Sequence, residues 1–427
     1  MMSDLRARYV ADFAKYVSPG KVRTYRKYRL DLVPGERQGV YIHDVDGRRF
    51  MNMHCNGGVF NLGHRPESTA QALRDAMASM DMGSWCAHNA VRERFAESLA
   101  ATMPAPLPRV VLCVSASDAV DAAIRLAMVH RQRAKVVSAH GGYHGSSAYA
   151  VAAGDARFRE PVHGELPGFV QVPFGDAAAM EREIDVQTAA FIVETIPASY
   201  GMALPPDDYY TRIRAACDRH GAILIIDETQ TGLGRTGKLW AIEHWGIAPD
   251  ALITGKGTSG GYYPIAAACF SARFDDTIAN GFFHYTESAG SDLGCAVAQR
   301  VLDITNTPEF LARVNTCAVA YADRLGRLAD KYPRYLREIR QKGMFMALVF
   351  RDEYVSLAAL KSMFDHGIYT VYAANDKRAI QFLPPLTISD AEIDESIRLL
   401  DASLRALGSL KYRTMRAILR LAVPKTV

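Results

Sequence analysis

The sequence predicts an α/β fold built on a mostly parallel, doubly wound sheet, together with a smaller α+β domain. Short apolar runs alternate with helix-like segments through the middle of the 427-residue chain, which is the pattern of strands and crossover helices. Many of these runs stop on polar or small residues, as buried strands do at the ligand-binding edge of such a sheet. The runs are RVVLCVS (109–115), KVVSAHGG (135–142), AFIVET (190–195), AILIIDE (222–228), ALITGK (251–256) and AAACFS (266–271).

Helical periodicity separates these predicted strands. It is clearest in residues 118–132 and 206–221, and Gly221 is well placed to cap the end of the second helix. Strands and helices that alternate in this way form a sheet with helices on both faces. Residues 66–310 are therefore predicted to form one large domain.

The two ends of the chain are predicted to pack together as a second, smaller domain. Residues 1–65 contain YIHDVDGRRFMNM, which is typical of two short strands about a turn at Asp46-Gly47. In residues 311–427, helical patterns alternate with the strand-like runs MFMALVF and IQFLPP, and a basic amphipathic tail begins at residue 411. We expect this tail to lie on its own domain rather than on a membrane surface.

Composition narrows the classes of function. The 50 Lys and Arg residues against 46 Asp and Glu give a net charge of +4, a bias too weak to predict nucleic-acid binding. Charges interrupt the apolar residues of the N-terminus, and no uncharged apolar stretch is long enough to span a bilayer. The 7 cysteines stand singly, without a metal-binding motif, which predicts reduced thiols, no metal site and a cytoplasmic location.

Polar residues at the ends of four predicted strands should meet at one edge of the sheet. The helix that follows Ser115-Ala116-Ser117 would present free N–H groups and its dipole there, which could hold a phosphate. Alternatively, Ser115 or Ser117 is simply the N-cap of that helix. The four strand-end residues are Ser115, Glu194, Asp227 and Lys256.

Lys256 stands in a glycine-rich segment, GKGTSGGYYP. Glycines on both sides indicate a backbone that is crowded by a neighbouring group. A lysine in such a pocket can lose its proton and attack a carbonyl carbon, whereas a lysine on an ordinary loop is a solvated charge. The pattern therefore makes Lys256 a candidate nucleophile close to the carboxylate of Asp227.

These motifs resemble those of the class III aminotransferases, which are pyridoxal-phosphate (PLP) enzymes of the aspartate-aminotransferase-like fold, fold type I. DETQTGLGRTG (227–237) resembles their D-E-x-Q-T-G-x-G-R-T-G motif, and ITGKGTSGGYYPIAA (253–267) resembles their Schiff-base lysine segment. The resemblance runs from about residue 30 to residue 405. Further similar segments are SASDAVDAAIRLA, GGYHGSSAYA, VETIPASYGMALPP, ESAGSDLGCAVAQRVLD and QFLPPLTIS.

The resemblance implies PLP as the cofactor and assigns roles around its ring. Lys256 would form the Schiff base with PLP and then act as the general base. Asp227 would keep the pyridine nitrogen protonated, because only the pyridinium form is a strong electron sink. The other predicted residues of the site are Gln230 at the phenolic oxygen, Tyr143 stacked on the ring, Glu194 near the ring and His144 in a structural role.

The same resemblance implies a phosphate site. Ser115, Ala116 and Ser117 would bind the phosphate, although the family usually has glycine where Ala116 stands. In the family a threonine reaches the phosphate of the neighbouring subunit, and Thr286 and Ser288 are both candidates for this role. The protein is therefore expected to be a homodimer with shared active sites.

One departure from the family concerns the substrate. Gln381 stands where many members have the arginine that grips a substrate carboxylate, and an amide cannot supply that charged fork. One interpretation is that another basic residue, such as Arg65, binds the carboxylate, or that the substrate is an ω-amine, an amino-aldehyde or a biosynthetic intermediate. An equally compatible interpretation is that Gln381 is a local variation without effect on the substrate. Val59 and Phe60 are expected to line the mouth of the site.

The resemblance favours transamination, in which an amino group moves between a small-molecule amino donor and a carbonyl acceptor. The reaction would proceed in ping-pong half-reactions. An amino-acid racemase or epimerase, or an aminomutase, is the closest alternative because these enzymes share the same chemistry at the α-carbon. A noncatalytic protein of this fold is a remote alternative, since it would not need a lysine and a carboxylate paired around a cofactor.

Overall fold

The structure is a computed structural model that describes residues 2–28, 30–83, 87–160, 166–281, 284 and 286–422. Cys86 and the last five residues of the basic tail, 423–427, lie outside the described residues. Within the described ranges, no helix combines the length and the apolar character that a bilayer crossing requires.

Fourteen strands occur in the described residues. In chain order they are β1 Pro34–Gln38, β2 Tyr41–Asp44, β3 Arg49–Asn52, β4 Arg109–Cys113, β5 Lys135–Ala139, β6 Phe169–Val172, β7 Thr188–Glu194, β8 Ile223–Asp227, β9 Ala251–Thr254, β10 Ala266–Phe270, β11 Leu336–Lys342, β12 Phe345–Phe350, β13 Ile368–Tyr369 and β14 Ala379–Phe382.

The α-helices of the described residues connect these strands and cover the sheets. They are α1 Met2–Tyr16, α2 Pro19–Tyr28, α3 Cys55–Gly58, α4 Glu67–Met77, α5 Ala90–Ala101, α6 Ala116–Arg131, α7 Ala148–Ala153, α8 Ala156–Arg159, α9 Ala177–Glu183, α10 Tyr209–His220, α11 Asp275–Ala279, α12 Asp292–Thr305, α13 Pro308–Lys331, α14 Glu353–Asp365, α15 Asp390–Ala406 and α16 Leu410–Ala422. Short 3-10 helices cover Ala241–Trp245, Lys256–Ser259 and Ala272–Phe274.

The largest sheet has the strand order β4-β10-β9-β8-β7-β5-β6. Strand β10 is antiparallel to both of its neighbours, and the pairings from β9 through β8, β7 and β5 to β6 are parallel. The predicted α/β fold class is therefore confirmed, and so are the six predicted strands of this sheet. Gly221 ends α10 with a left-handed φ of 69°, as the sequence predicts.

Both faces of the large sheet are buried, as parallel sheets require. Alternate residues of β8 point into two different apolar clusters. Ile223 and Ile225 pack on the side of α6, whereas Leu224 and Ile226 pack on the opposite side with residues of α10. This double burial fixes the register of the central strands, so their carboxyl ends present a fixed set of side chains.

Two smaller sheets complete the fold. One has the order β1-β2-β3-β13 and joins the two ends of the chain, because Ile368 and Tyr369 of β13 pair in parallel with Met51 and Asn52 of β3. The other has the order β11-β12-β14. The division into domains at residues 65 and 310 stays a prediction.

Candidate active site

A cavity of about 490 Å³ opens at the carboxyl ends of the central strands. It contains side chains that the sequence analysis assigned from separate motifs. The tight packing of β7, β8 and β9 brings these motifs together, because Glu194 pairs with Asp227 and Asp227 pairs with Ile253 across the sheet. The predicted residues that line the cavity are Val59, Ser115, Ala116, Ser117, Tyr143, His144, Glu194, Asp227, Gln230 and Lys256.

Asp227 ends β8 as a buried carboxylate. Its Oδ2 lies 2.8 Å from His144 Nδ1, and its Oδ1 accepts the Thr229 N–H at 3.0 Å. Burial acts to raise the pKa of Asp227, but the hydrogen bond and the positive charge of His144 outweigh it, and the pKa is lowered. The same contact raises the pKa of His144 against its own burial. The contact therefore favours the ionised form of Asp227 and the protonated form of His144.

Lys256 follows β9 and has a left-handed backbone conformation with a φ of 47°. A non-glycine residue pays a conformational cost there, and such strain concentrates at functional sites. Burial lowers the pKa of the Lys256 amine to about 8, although the charges of Glu194 and Asp227 oppose the shift. A substantial fraction of the amine is consequently unprotonated at mildly alkaline pH, as a nucleophile requires.

Position 255, next to Lys256, requires glycine because another residue packs closely against the backbone of Gly255. A Cβ atom on Gly255 would lie 2.9 Å from the Cβ atom of Ala116. With the Gln230 amide oriented so that its oxygen faces the lysine, Lys256 Nζ donates to Oε1 at 2.8 Å and Nε2 donates to the Gly57 carbonyl at 3.2 Å. Gln230 thus connects the lysine to the turn that contains Gly57.

Glu194 is the second buried acid of the cavity. Its Oε1 accepts the Tyr143 N–H at 2.8 Å, and its Oε2 accepts the Ala198 N–H at 3.4 Å. Burial raises the pKa of Glu194 to about 7, with a further contribution from the charge of Asp227. The Tyr143 ring also lines the cavity and packs edge-on against Phe158, with 4.9 Å between the ring centroids.

The N-terminus of α6 faces the cavity. Ser115 is its N-cap, and its Oγ accepts the Asp118 N–H at 3.2 Å. Ser117 Oγ accepts the N–H groups of Ser146 and Ser147 at 2.9 and 3.0 Å and lies 2.7 Å from Ser147 Oγ. These contacts occupy the Ser117 hydroxyl, so an anion at this helix end would meet the backbone N–H groups of the first turn.

Some predicted residues lie away from the cavity wall. Phe60 packs against His64, with ring centroids 4.2 Å apart. Arg65 is exposed, and the structure does not place it on the cavity wall. Gln381 is buried in β14, where its Nε2 reaches the Ala198 carbonyl at 3.5 Å.

The two candidates for a contact with a neighbouring subunit also have defined positions. Thr286 Oγ1 donates to Asp118 Oδ2 of its own chain at 2.8 Å. Ser288 has a left-handed backbone with a φ of 69°. Glu287 between them is exposed and is not among the residues that line the chain's own cavity.

Several residues of the site were not identified from the sequence. Ser259, Tyr262 and Tyr263 line the cavity just after the lysine. Their position within the same glycine-rich segment was the available signal. Glu228, the second acid at the end of β8, has a different role, because it accepts hydrogen bonds from Thr195, Thr231 and the Ile242 N–H inside the fold.

Comparison with known proteins identifies the family. The model of the family described as aminotransferase class-III matches residues 24–404, and the chain belongs to that family. An uncharacterized aminotransferase from Archaeoglobus fulgidus is 46% identical over 390 residues, which cover 91% of this chain and 92% of that protein.

Solved structures agree with this fold. The ornithine aminotransferase of Toxoplasma gondii is similar with a TM-score of 0.85 at 24% identity, over 94% of this chain and 95% of that one. An (S)-enantioselective omega-transaminase from Thermomicrobium roseum gives a TM-score of 0.84 at 26% identity, over 94% and 99% of the two chains. The chain is a PLP-dependent aminotransferase of fold type I. The comparisons do not favour the racemase, aminomutase or noncatalytic alternatives.

Proposed function

We propose that the cavity at the ends of β7, β8 and β9 is the active site, and that Lys256 is its catalytic residue. This proposal rests on the environment of the Lys256 amine. The amine lies in a cavity beside two buried acids, and its pKa is lowered to about 8. An unprotonated amine in a cavity can bond a carbonyl carbon, whereas a structural lysine would be paired and protonated.

The residues of the cavity fit PLP in three respects. A buried carboxylate, Asp227, suits a pyridine nitrogen that must stay protonated, and the N-terminus of α6 suits a phosphate. The lysine lines the same cavity as both of these features. PLP supplies an electron sink for the carbanion that forms when the substrate carbon bearing the amine loses its proton.

The chain's own groups have distinct tasks in this proposal. His144 keeps Asp227 ionised and oriented through their 2.8 Å contact. Gln230 offers a neutral hydrogen bond beside the lysine, and Tyr143 provides an aromatic face. Lys256 Nζ binds the cofactor first and then moves a proton at the substrate carbon that carries the amine.

The assembly and the location of the enzyme also belong to the proposal. The family relationship supports a homodimer in which Thr286 or Ser288 of one subunit approaches the phosphate of the other. The described cysteines are all free thiols, which supports a reducing compartment such as the cytoplasm. The substrates are a small-molecule amino donor and a carbonyl acceptor.

A half-reaction assay tests the proposal. The PLP-loaded protein is mixed with one amine and no carbonyl acceptor, and the cofactor absorbance and the keto product are followed together. We expect stoichiometric loss of the cofactor band with release of one keto product per site, and no turnover by Lys256→Ala. An unchanged band with solvent deuterium entering the α-position of the substrate would instead favour an isomerase. Wild-type turnover by Lys256→Ala would exclude the proposed role of the lysine.

A further inference from the structure

One side of the helix α16 packs on the chain's own fold, as the sequence predicts. Tyr412 and Leu419 are buried in apolar clusters that include residues of α14, and Met415 packs against the same clusters. These three residues recur every three or four positions, so they share one side of the helix. The Tyr412 hydroxyl also donates to Asp365 Oδ2 at 2.7 Å. Together these contacts fix which side of α16 faces outward.

The opposite side of α16 exposes a strip of mostly apolar side chains. Leu410, Ile418 and Leu421 are 79%, 58% and 91% exposed. At 3.6 residues per turn the strip spans roughly 100° of the helix surface, on the side away from Tyr412 and Leu419. Large exposed apolar side chains on one face of a helix mark an interaction surface. This outward strip consists of Leu410, Thr414, Ala417, Ile418 and Leu421, all of them exposed.

Basic side chains flank the outward strip. Arg413 and Arg420 lie along one edge and Lys411 lies along the other, and the helix contains no acidic residue. Two neighbouring acids are each paired with a cation of the helix, because Lys411 Nζ lies 2.7 Å from Asp365 Oδ2 and Arg420 Nη2 lies 3.3 Å from Asp352 Oδ2. The long stems of lysine and arginine allow their charges to extend beside an apolar surface. The outward side of α16 is therefore an apolar strip between two positively charged edges.

We propose that α16 binds the surface of a membrane that contains anionic lipids, with the outward strip among the acyl chains and the flanking cations at the headgroups. An amphipathic helix with an apolar face and basic edges lies in the plane of such an interface, and each lysine or arginine adds attraction to anionic lipid. The attachment is peripheral, since no helix of the described ranges is suited to cross a bilayer. This revises the expectation that the tail avoids membranes, because only the folded chain shows which side of the helix is exposed.

A second copy of the chain fits the outward strip less well. Two such strips packed together would bring their basic edges side by side, and like charges repel across an interface. The subunit contact proposed above lies in another part of the fold, because Thr286 is bonded to Asp118 of α6 whereas α16 packs on α14. The family match ends at residue 404, so α16 also lies outside the part of the chain that the family model covers. The inference therefore goes beyond the proposed chemistry.

Sedimentation of the holoenzyme with lipid vesicles tests the inference. Vesicles of phosphatidylcholine alone are compared with vesicles that also contain phosphatidylglycerol, and the partition coefficient is measured from the protein in the pellet. We expect the coefficient to be at least about tenfold higher on the anionic vesicles and to fall as salt is added, because salt screens the charges. No binding to the anionic vesicles, or equal binding to both kinds, would overturn the inference.

Variants assign the binding to α16. Ile418→Glu and Leu421→Glu should each lower the partition coefficient about tenfold or more, because each puts a charge where an apolar side chain enters the membrane. Arg413→Gln should lower it about fivefold, the contribution of one basic residue. Val186→Glu is the matched control, because Val186 is 62% exposed in the loop before β7, and this variant should stay within about twofold of the wild type. Binding by Leu421→Glu equal to that of the wild type would contradict the inference.

Two further measurements separate the membrane from other occupants. The added fluorescence of Leu421→Trp should shift to shorter wavelength on anionic vesicles, whereas that of Val186→Trp should not. Light scattering without vesicles reports self-association, and an assembly larger than a dimer that Leu421→Glu abolishes would overturn the inference in favour of a second copy. None of the substituted residues lines the cavity, so turnover should be unchanged in every variant. A failure of the membrane inference would therefore leave the proposed function standing.

Discussion

Replacing Lys256 by methionine should stabilise the apoprotein at neutral pH. The pKa of the Lys256 amine falls from the usual 10.5 to about 8, chiefly because the amine is buried. The folded state therefore holds this proton less tightly than the unfolded state, and the gap between the two pKa values corresponds to about 3 kcal/mol. Since Lys256 borders the cavity and keeps partial contact with water, we expect a gain of about 1–3 kcal/mol.

The stability difference between Lys256→Met and the wild type should depend on pH. Below pH 8 both states of the wild type are protonated at Lys256, and the full penalty is present. As the pH rises from about 8 to 10.5, the folded state releases its proton first and the penalty disappears. The stability advantage of Lys256→Met should consequently be largest at pH 7 and should vanish near pH 10.5.

Urea unfolding of the two apoproteins at several pH values measures this difference. Methionine fills nearly the same volume as the lysine chain, so packing changes little. Lys238→Met is the matched control, because Lys238 is exposed and its replacement removes no buried charge. A Lys256→Met protein that is no more stable than the wild type at pH 7, or a stability advantage that does not depend on pH, would contradict this prediction.

Three further substitutions test the groups around the lysine, and a fourth, Gly246→Ala, serves as a control. Asp227→Asn should lower kcat by about a hundredfold while PLP still binds, which turnover and cofactor titration measure; unchanged kcat would count against its role. Gly57→Ala and Gly246→Ala should each cost about 1–2 kcal/mol of unfolding free energy, because both positions have left-handed φ values. Only Gly57→Ala should weaken PLP retention, because a Cβ atom there would lie beside Lys256 Nζ whereas the space around Gly246 is open. Ser117→Ala should cost about 1–3 kcal/mol and loosen PLP, because it strips two loop N–H groups of their acceptor; an unchanged Tm would contradict this.

The central sheet could be predicted from the sequence because its signals are local. Strands such as β8 are buried on both faces, so each appears as an uninterrupted apolar run. Strand β6, Phe169–Val172, was not predicted, since three of its four residues are only partly buried and the run is short. The antiparallel direction of β10 depends on its connections to β9 and β4, which no local pattern records.

The candidate site was predictable to the extent that it lies at strand ends. Asp227 and Lys256 each follow an apolar run and stand within distinctive motifs, so their convergence follows from the topology of a parallel sheet. The hydrogen bond from the Leu383 N–H to the Met53 carbonyl joins segments more than three hundred residues apart, and only the folded chain reveals it. The hydrogen bond of Thr286 to Asp118 is likewise a product of tertiary structure.

Locating the covalent bond between PLP and the chain identifies the lysine that binds the cofactor. The holoenzyme is treated with borohydride, digested and examined by mass spectrometry. We expect one reduced PLP per chain, on the peptide that contains Lys256, and no stable label in Lys256→Met. A label on another lysine, or PLP that stays entirely noncovalent in the wild type, would contradict the assignment of Lys256 as the catalytic residue.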